Sequence, residues 1–131
     1  MVGLVLVSHS EKVARGTAEM VVQMAGEVEA IPVGGDPEGG LGTNPDGIRA
    51  ALQSARSEEL LVFMDIGSAI LAAESVVEGL PESLRSRVRL VDAPFVEGAF
   101  AAGVLASTGA GVEECVAAAV EARTEPKLHD A

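Results

Sequence analysis

Hydrophobic positions along this chain form two kinds of run. Val2-Gly3-Leu4-Val5-Leu6-Val7 and Leu60-Leu61-Val62-Phe63-Met64 are apolar without a break, whereas several longer stretches repeat at helical spacing. A short unbroken apolar run suits a strand covered on both faces, as in a parallel sheet flanked by helices. Val28-Glu29-Ala30-Ile31-Pro32-Val33 and Val88-Arg89-Leu90-Val91 read as two weaker strands. Pro32 has no N–H for the ladder, which places its strand at a sheet edge. Between the strands the pattern predicts helices over Glu11–Ala25, Pro45–Ala55, Ala69–Glu78, Phe95–Ser107 and Val112–Arg123. For the first helix, Ser10 is the cap, Gly26 the stop, and Val13, Thr17, Met20, Val21 and Met24 the apolar stripe.

The resulting order, β-α-β-α-β-α-β-α-α, predicts an α/β fold with a doubly wound, mainly parallel sheet of four strands. Right-handed crossovers, with the two most apolar strands in the middle, predict the order 2-1-3-4 with helices on both faces. One domain is expected over residues 1–123, followed by a polar tail at 124–131. The glycine-rich stretch Gly34–Asn44 has no periodicity and reads as a loop at the carboxyl end of the sheet.

Composition narrows the chemistry. Of 131 residues, 48% are hydrophobic but only 2% aromatic, so stacking platforms for bases or sugars are nearly absent. The formal net charge of −11 opposes binding to nucleic acid or anionic membranes, both of which need cationic footprints. The single cysteine, Cys115, reads as a small buried hydrophobe. Without a spanning segment or a leader-type start, the expected location is the cytoplasm.

The first strand stops at Ser8-His9-Ser10, and the third at Asp65-Ile66-Gly67-Ser68. Open α/β sheets bind ligands beyond the carboxyl ends of their strands, at the switch point between neighbours. The order 2-1-3-4 brings His9 and Asp65 together there. A carboxylate beside an imidazole fixes its tautomer and stabilises a cationic ring, leaving the opposite nitrogen to react. Gly67-Ser68 at a helix start and Gly42-Thr43 from the loop can offer backbone N–H groups and hydroxyls to an anion. A histidine facing such a cradle points to phosphoryl chemistry on the histidine. Taken singly, each element also has a plain reading: His9 as a solvated loop residue, Asp65 as a helix N-cap, and the glycines as turn formers. No Walker motif, dinucleotide fingerprint, metal-ligand spacing or nucleophile elbow is present. The other histidine, His129, belongs to the tail.

Four segments together resemble one family. They are Val5-Leu6-Val7-Ser8-His9-Ser10, Gly42-Thr43, Val62-Phe63-Met64-Asp65-Ile66-Gly67-Ser68-Ala69 and Ala93-Pro94-Phe95-Val96-Glu97-Gly98. The family is the phosphoryl-carrier subunit of phosphoenolpyruvate-dependent dihydroxyacetone kinase, a relative of the mannose-type EIIA domains of the bacterial phosphotransferase system. The resemblance covers about the first 122 residues. It implies that His9 takes a phosphoryl group from the carrier protein HPr and passes it to ADP. That ADP is held on the nucleotide-binding subunit of the kinase, beside its substrate-binding subunit. It further implies Asp65 as the acidic partner of His9, and Gly42, Thr43, Gly67 and Ser68 as the phosphoryl pocket. The only covalent group expected is the phosphoryl on His9, with no resident cofactor or metal. A homodimer is implied, with the alanine-rich helix after Phe95 contributing to its interface. Two competing readings remain at this point: an EIIA domain feeding a mannose-type sugar permease, and a non-catalytic flavodoxin-like domain binding an anion or a protein.

Overall fold

The computed structural model describes residues 1–128, so His129 lies outside the described residues. Four strands, β1 (Val2–Ser8), β2 (Ala30–Gly34), β3 (Glu59–Met64) and β4 (Val88–Leu90), form one sheet. The sheet is parallel throughout and ordered β2-β1-β3-β4. The two unbroken apolar runs are its centre, and Pro32 sits on the edge strand opposite Leu6. This is the expected topology, and its physical basis is the expected one: only the central strands are covered on both faces.

Among the described residues six helices surround the sheet: α1 (Glu11–Ala25), α2 (Pro45–Ser54), α3 (Ser68–Glu78), α4 (Glu82–Arg85), α5 (Phe95–Ser107) and α6 (Val112–Glu121). Strand alternation divides the core into two layers. Leu4, Leu6, Leu61 and Phe63 face α1, α5 and α6, while Val5, Val7, Leu60 and Val62 face α2, α3 and α4. Cys115 is buried in the first layer, and that burial pushes its thiol pKa up.

Two expectations need correction. The short helix α4 was absent from the expected order. It follows Pro81, whose fixed φ starts the turn, and it is held by burial of Leu84. The buried face of α1 is also not the one expected. Thr17 and Val21 are inside as expected, but their buried companions are Ala14, Ala18 and Ala25. Val13, Met20 and Met24 are instead 45%, 50% and 63% exposed. The cause is close approach between helices. A Cβ built on Gly103 of α5 would lie 2.6 Å from Val21 Cγ1, so this interface admits only small side chains. Side-chain size pointed to the methionines; helix spacing selected the alanines.

The loop after β2 lies at the carboxyl end of the sheet. Asp36 Oδ1 accepts the N–H groups of Glu38 and Gly40, and the Gly42 N–H donates to the His9 carbonyl at 2.9 Å. Asn44 then caps α2 through the Gly47 N–H. Beyond α6, turn bonds run on to Thr124, and the Lys127 ammonium reaches Glu97 at 2.5 Å.

Candidate functional site

Register alone brings the two strand ends together. Val7 pairs with Met64, and the Asp65 N–H donates to the Val7 carbonyl, so the residues after each strand emerge side by side. Beyond Ser8 the chain must turn into α1. The Ser10 hydroxyl caps that helix by accepting the Val13 N–H at 3.3 Å. His9 is thus held between a strand end and a capped helix start, with its side chain 26% exposed.

The ring of His9 is gripped on both sides. Its Nδ1 lies 3.0 Å from Asp65 Oδ1, and its Nε2 lies 2.7 Å from the Ser68 hydroxyl. The carboxylate is itself fixed by Ser8 Oγ at 2.6 Å, the His9 N–H at 3.1 Å and the Ile66 N–H at 2.6 Å. Burial works to raise the Asp65 pKa. The bonds from Ser8, Ile66 and His9 outweigh it and hold the carboxyl below its ordinary range. An ionised Asp65 only accepts, so Nδ1 must carry the proton facing it. Nε2 then presents its lone pair, and the Ser68 hydroxyl is its donor. Asp65 does not cap α3. Its bond goes to Ile66, before the helix, and the capping position is Gly67.

Gly67 has a structural reason to be glycine. Its φ of +47° lies in the region that side chains avoid, and a Cβ there would come to 4.0 Å from His9 Cε1. The turn therefore sets no side chain of its own against Cε1 of the ring, immediately before the first N–H groups of α3. Gly42 is stapled to the His9 backbone from the opposite side. Thr43 follows in the same loop, half-buried, and its hydroxyl bonds to nothing at the site among the described residues. Of the residues singled out from the sequence, Asp65 and Ser68 thus bond the two nitrogens of the His9 ring, Gly67 lies beside Cε1, Gly42 bonds the His9 backbone, and Thr43 follows Gly42. Arg15, the nearest arginine in sequence, is drawn off by Glu11 at 3.2 Å.

The sequence reading missed Ser8, which bonds Asp65 more closely than His9 does. Strand parity held the signal. Ser8 continues the face of Leu4 and Leu6, and Asp65 that of Leu61 and Phe63, so the two neighbours point into one layer.

The segments that carry the site also expose large apolar side chains. Leu41, Ile66 and Leu71 are 79%, 66% and 68% exposed, on the loop before Gly42, beside Asp65 and in the first turn of α3. Among the described residues no helix is long and apolar enough to cross a membrane.

Comparisons with known proteins point to one family. The EIIA-man family, described as the PTS system fructose IIA component, matches residues 3–120. The chain is 46% identical over 106 residues to a Listeria innocua protein, PEP-dependent dihydroxyacetone kinase 2, phosphoryl donor subunit DhaM. That match covers 79% of this chain and 85% of the relative. It is 42% identical over 127 residues to the corresponding subunit DhaM of Klebsiella michiganensis, covering 93% of this chain but only 27% of that longer relative. Among solved structures, a protein of unknown function, EF1359, superposes with a TM-score of 0.88 at 37% identity, covering 95% of this chain and 96% of its own. This chain belongs to the EIIA-man family.

Proposed function

We propose that the chain is a phosphohistidine carrier serving dihydroxyacetone phosphorylation. In this reading His9 takes a phosphoryl group from HPr and gives it to ADP on the nucleotide-binding subunit of dihydroxyacetone kinase, which works with a substrate-binding subunit. The observation that carries the proposal is the division of labour on the ring: Nδ1 is tied to Asp65 while Nε2 faces Ser68. Relatives named as phosphoryl donor subunits of that kinase support the acceptor.

The chemistry follows from the geometry. The Nε2 lone pair attacks phosphorus as the bond to the donor's nitrogen breaks, and the donor keeps that electron pair. With Nδ1 already protonated, the ring becomes cationic as Nε2 is phosphorylated, and the fixed Asp65 carboxylate stabilises the charge. The onward step reverses the logic. An oxygen of ADP attacks phosphorus and Nε2 leaves with its electron pair, as an imidazole that is neutral once more. Phosphoryl transfer needs in-line positioning and stabilisation of the equatorial oxygens more than covalent help. In this reading Ser68, Gly67 and the α3 N–H groups serve that task, together with Gly42 and Thr43 from the loop after β2. Among the described residues no lysine or arginine bonds His9, Asp65 or Ser68, which suits a phosphoryl group that must leave again.

The exposed side chains of Leu41, Ile66 and Leu71 are where donor and acceptor proteins would seat, since both must reach Nε2. A homodimer belongs to the same reading. Phe100 of α5 shares a surface hollow with Met20 and Met24 of α1, which gives that helix an apolar face for a second copy. In this reading the reaction takes place in the cytoplasm.

The test is incubation with phosphoenolpyruvate, enzyme I and HPr. The expected product is an acid-labile, base-stable phosphate on the protein, absent from His9→Ala. Label that appears undiminished in His9→Ala overturns the proposal. The family description, a fructose IIA component, favours a second reading in which a sugar permease is the acceptor. Discharge of the labelled protein onto ADP by the two kinase subunits selects the first reading; discharge only onto a permease component selects the second.

A further inference from the structure

Ser8 is a hydroxyl at the end of an otherwise apolar strand, and it is 1% exposed. Its oxygen lies 2.6 Å from Asp65 Oδ2 and accepts the Ser10 N–H at 3.0 Å. A backbone N–H can only donate and an ionised carboxylate can only accept, so the Ser8 proton has one place to go. Ser8 donates to Asp65. Each carboxylate oxygen then holds two donors: Ser8 and the His9 N–H on Oδ2, the Ile66 N–H and the His9 ring on Oδ1. That fills the acceptor sites of a carboxylate and leaves Asp65 no alternative orientation. Of these donors only His9 is titratable; Ser8 and the two backbone groups are neutral.

We infer that Ser8 is a positioning residue for phosphoryl transfer, locking the Asp65 carboxylate so that the His9 ring keeps its proton on Nδ1 and its lone pair on Nε2. This rests on the phosphohistidine reading above. Ser8 bonds neither ring nitrogen, so it acts through Asp65. Through the Ser10 N–H it also ties the start of α1 to the same carboxylate, so helix, strand end and ring move as one unit. Outer hydrogen-bond partners of working histidines characteristically matter in this way, because ring orientation and tautomer are set by what the far nitrogen bonds.

The experiment is a double-mutant cycle in single-turnover transfer from phosphorylated HPr, using wild type, Ser8→Ala, Asp65→Ala and the double variant. Ser8→Ala is expected to slow transfer about tenfold, the lower end of the range for outer-partner loss at histidine sites. In the double variant the Ser8 substitution should add nothing, because no carboxylate is left to position. A second readout, nitrogen NMR of the His9 ring, needs no donor protein. Wild type should show the Nδ1-protonated tautomer, and Ser8→Ala a mixture. Should Ser8→Ala fail to fold, Ser8→Cys, similar in shape but a weak donor, takes its place with the same expectations. A folded variant with wild-type rate and wild-type tautomer overturns the inference, as does a fully additive loss in the double variant. If wild type takes no label, the phosphohistidine reading fails, while the tautomer measurement still decides the role of Ser8.

Discussion

Two carboxylates stand at opposite ends of the sheet and are held by nearly the same donors. Asp65, at the carboxyl end, accepts one serine hydroxyl, two backbone N–H groups and an imidazole. Glu29, just before β2 at the other end, accepts the Ser57 hydroxyl at 2.7 Å and the N–H groups of Arg56 and Ser57. For both, burial works to raise the pKa and hydrogen bonds overcome it, so both carboxyls lie below their ordinary values. A well-bonded, acidified carboxylate is therefore no sign of chemistry in itself. The difference is one partner. Asp65 holds a ring whose second nitrogen, met by the Ser68 hydroxyl, carries a lone pair that can react, whereas every donor on Glu29 is a permanent one. Glu29 pins the loop ahead of β3 to the start of β2; Asp65 passes its orientation to a reactive atom.

Removing the ring breaks the comparison most severely. His9→Ala should abolish phosphate incorporation while leaving the thermal midpoint close to that of wild type, because the side chain is partly exposed and Asp65 keeps its donors from Ser8, Ile66 and the backbone of residue 9. Labelling and a thermal melt check the two halves. Next in size is Asp65→Asn. An amide in place of the carboxylate can donate toward Nδ1 and favour the wrong tautomer, and transfer should slow about a hundredfold or more. Its stability should fall by only about 1–2 kcal/mol, the cost of leaving the Ile66 N–H without an acceptor where the amide nitrogen replaces Oδ1. Single-turnover rates and urea denaturation on one preparation would show whether the two losses separate.

How much of this was legible in the sequence depends on range. The unbroken runs at β1 and β3 and the proline of β2 specified sheet order, because each reports directly on strand cover or ladder donors. From that order the meeting of His9, Asp65 and Ser68 followed. What escaped was set by distance and by size. Glu29 reads as one more residue of a strand, and its partners are 27 and 28 residues away, with no periodicity to announce them. Ser8 reads as part of the motif around His9, and only the parity of two strands shows that it turns toward Asp65. The inward face of α1 was misjudged because bulky Met20 and Met24 look like core, while Gly103 and Val21 bring two helices too close to admit them.

Glu29 should show the reverse of the Asp65 result. Glu29→Ala is expected to lower stability by about 2 kcal/mol, since several donors lose a charged acceptor, with transfer unchanged within about twofold. Its pH dependence has a definite sign. A carboxyl whose pKa is lowered in the fold adds stability that is complete above its ordinary value of 4.5 and fades as pH falls through the folded value. Wild type should therefore lose stability on acidification below about pH 4.5, and Glu29→Gln should lose it less steeply. Urea midpoints measured across pH 3 to 6 would show it. Parallel curves for the two proteins would mean that the Glu29 carboxylate contributes no acid-sensitive stability.

A third carboxylate sharpens the contrast from below. Glu113 on α6 meets Arg89 of β4 through two bonds, at 3.2 and 2.8 Å, and its pKa too is lowered by that hydrogen bonding and the arginine charge. Geometry alone would rank this pair with the other two. Yet the Glu113 side chain is 81% exposed, so water competes for both partners and salt screens them. Glu113→Gln should leave the thermal midpoint within experimental error of wild type, at low salt and at high salt alike. A clear drop that disappears on adding salt would show that exposure is the wrong criterion. The ordering of the three carboxylates would then rest on bond geometry alone. An unchanged midpoint leaves burial to separate Glu29 from Glu113, and the reactive nitrogen of His9 to separate Asp65 from both.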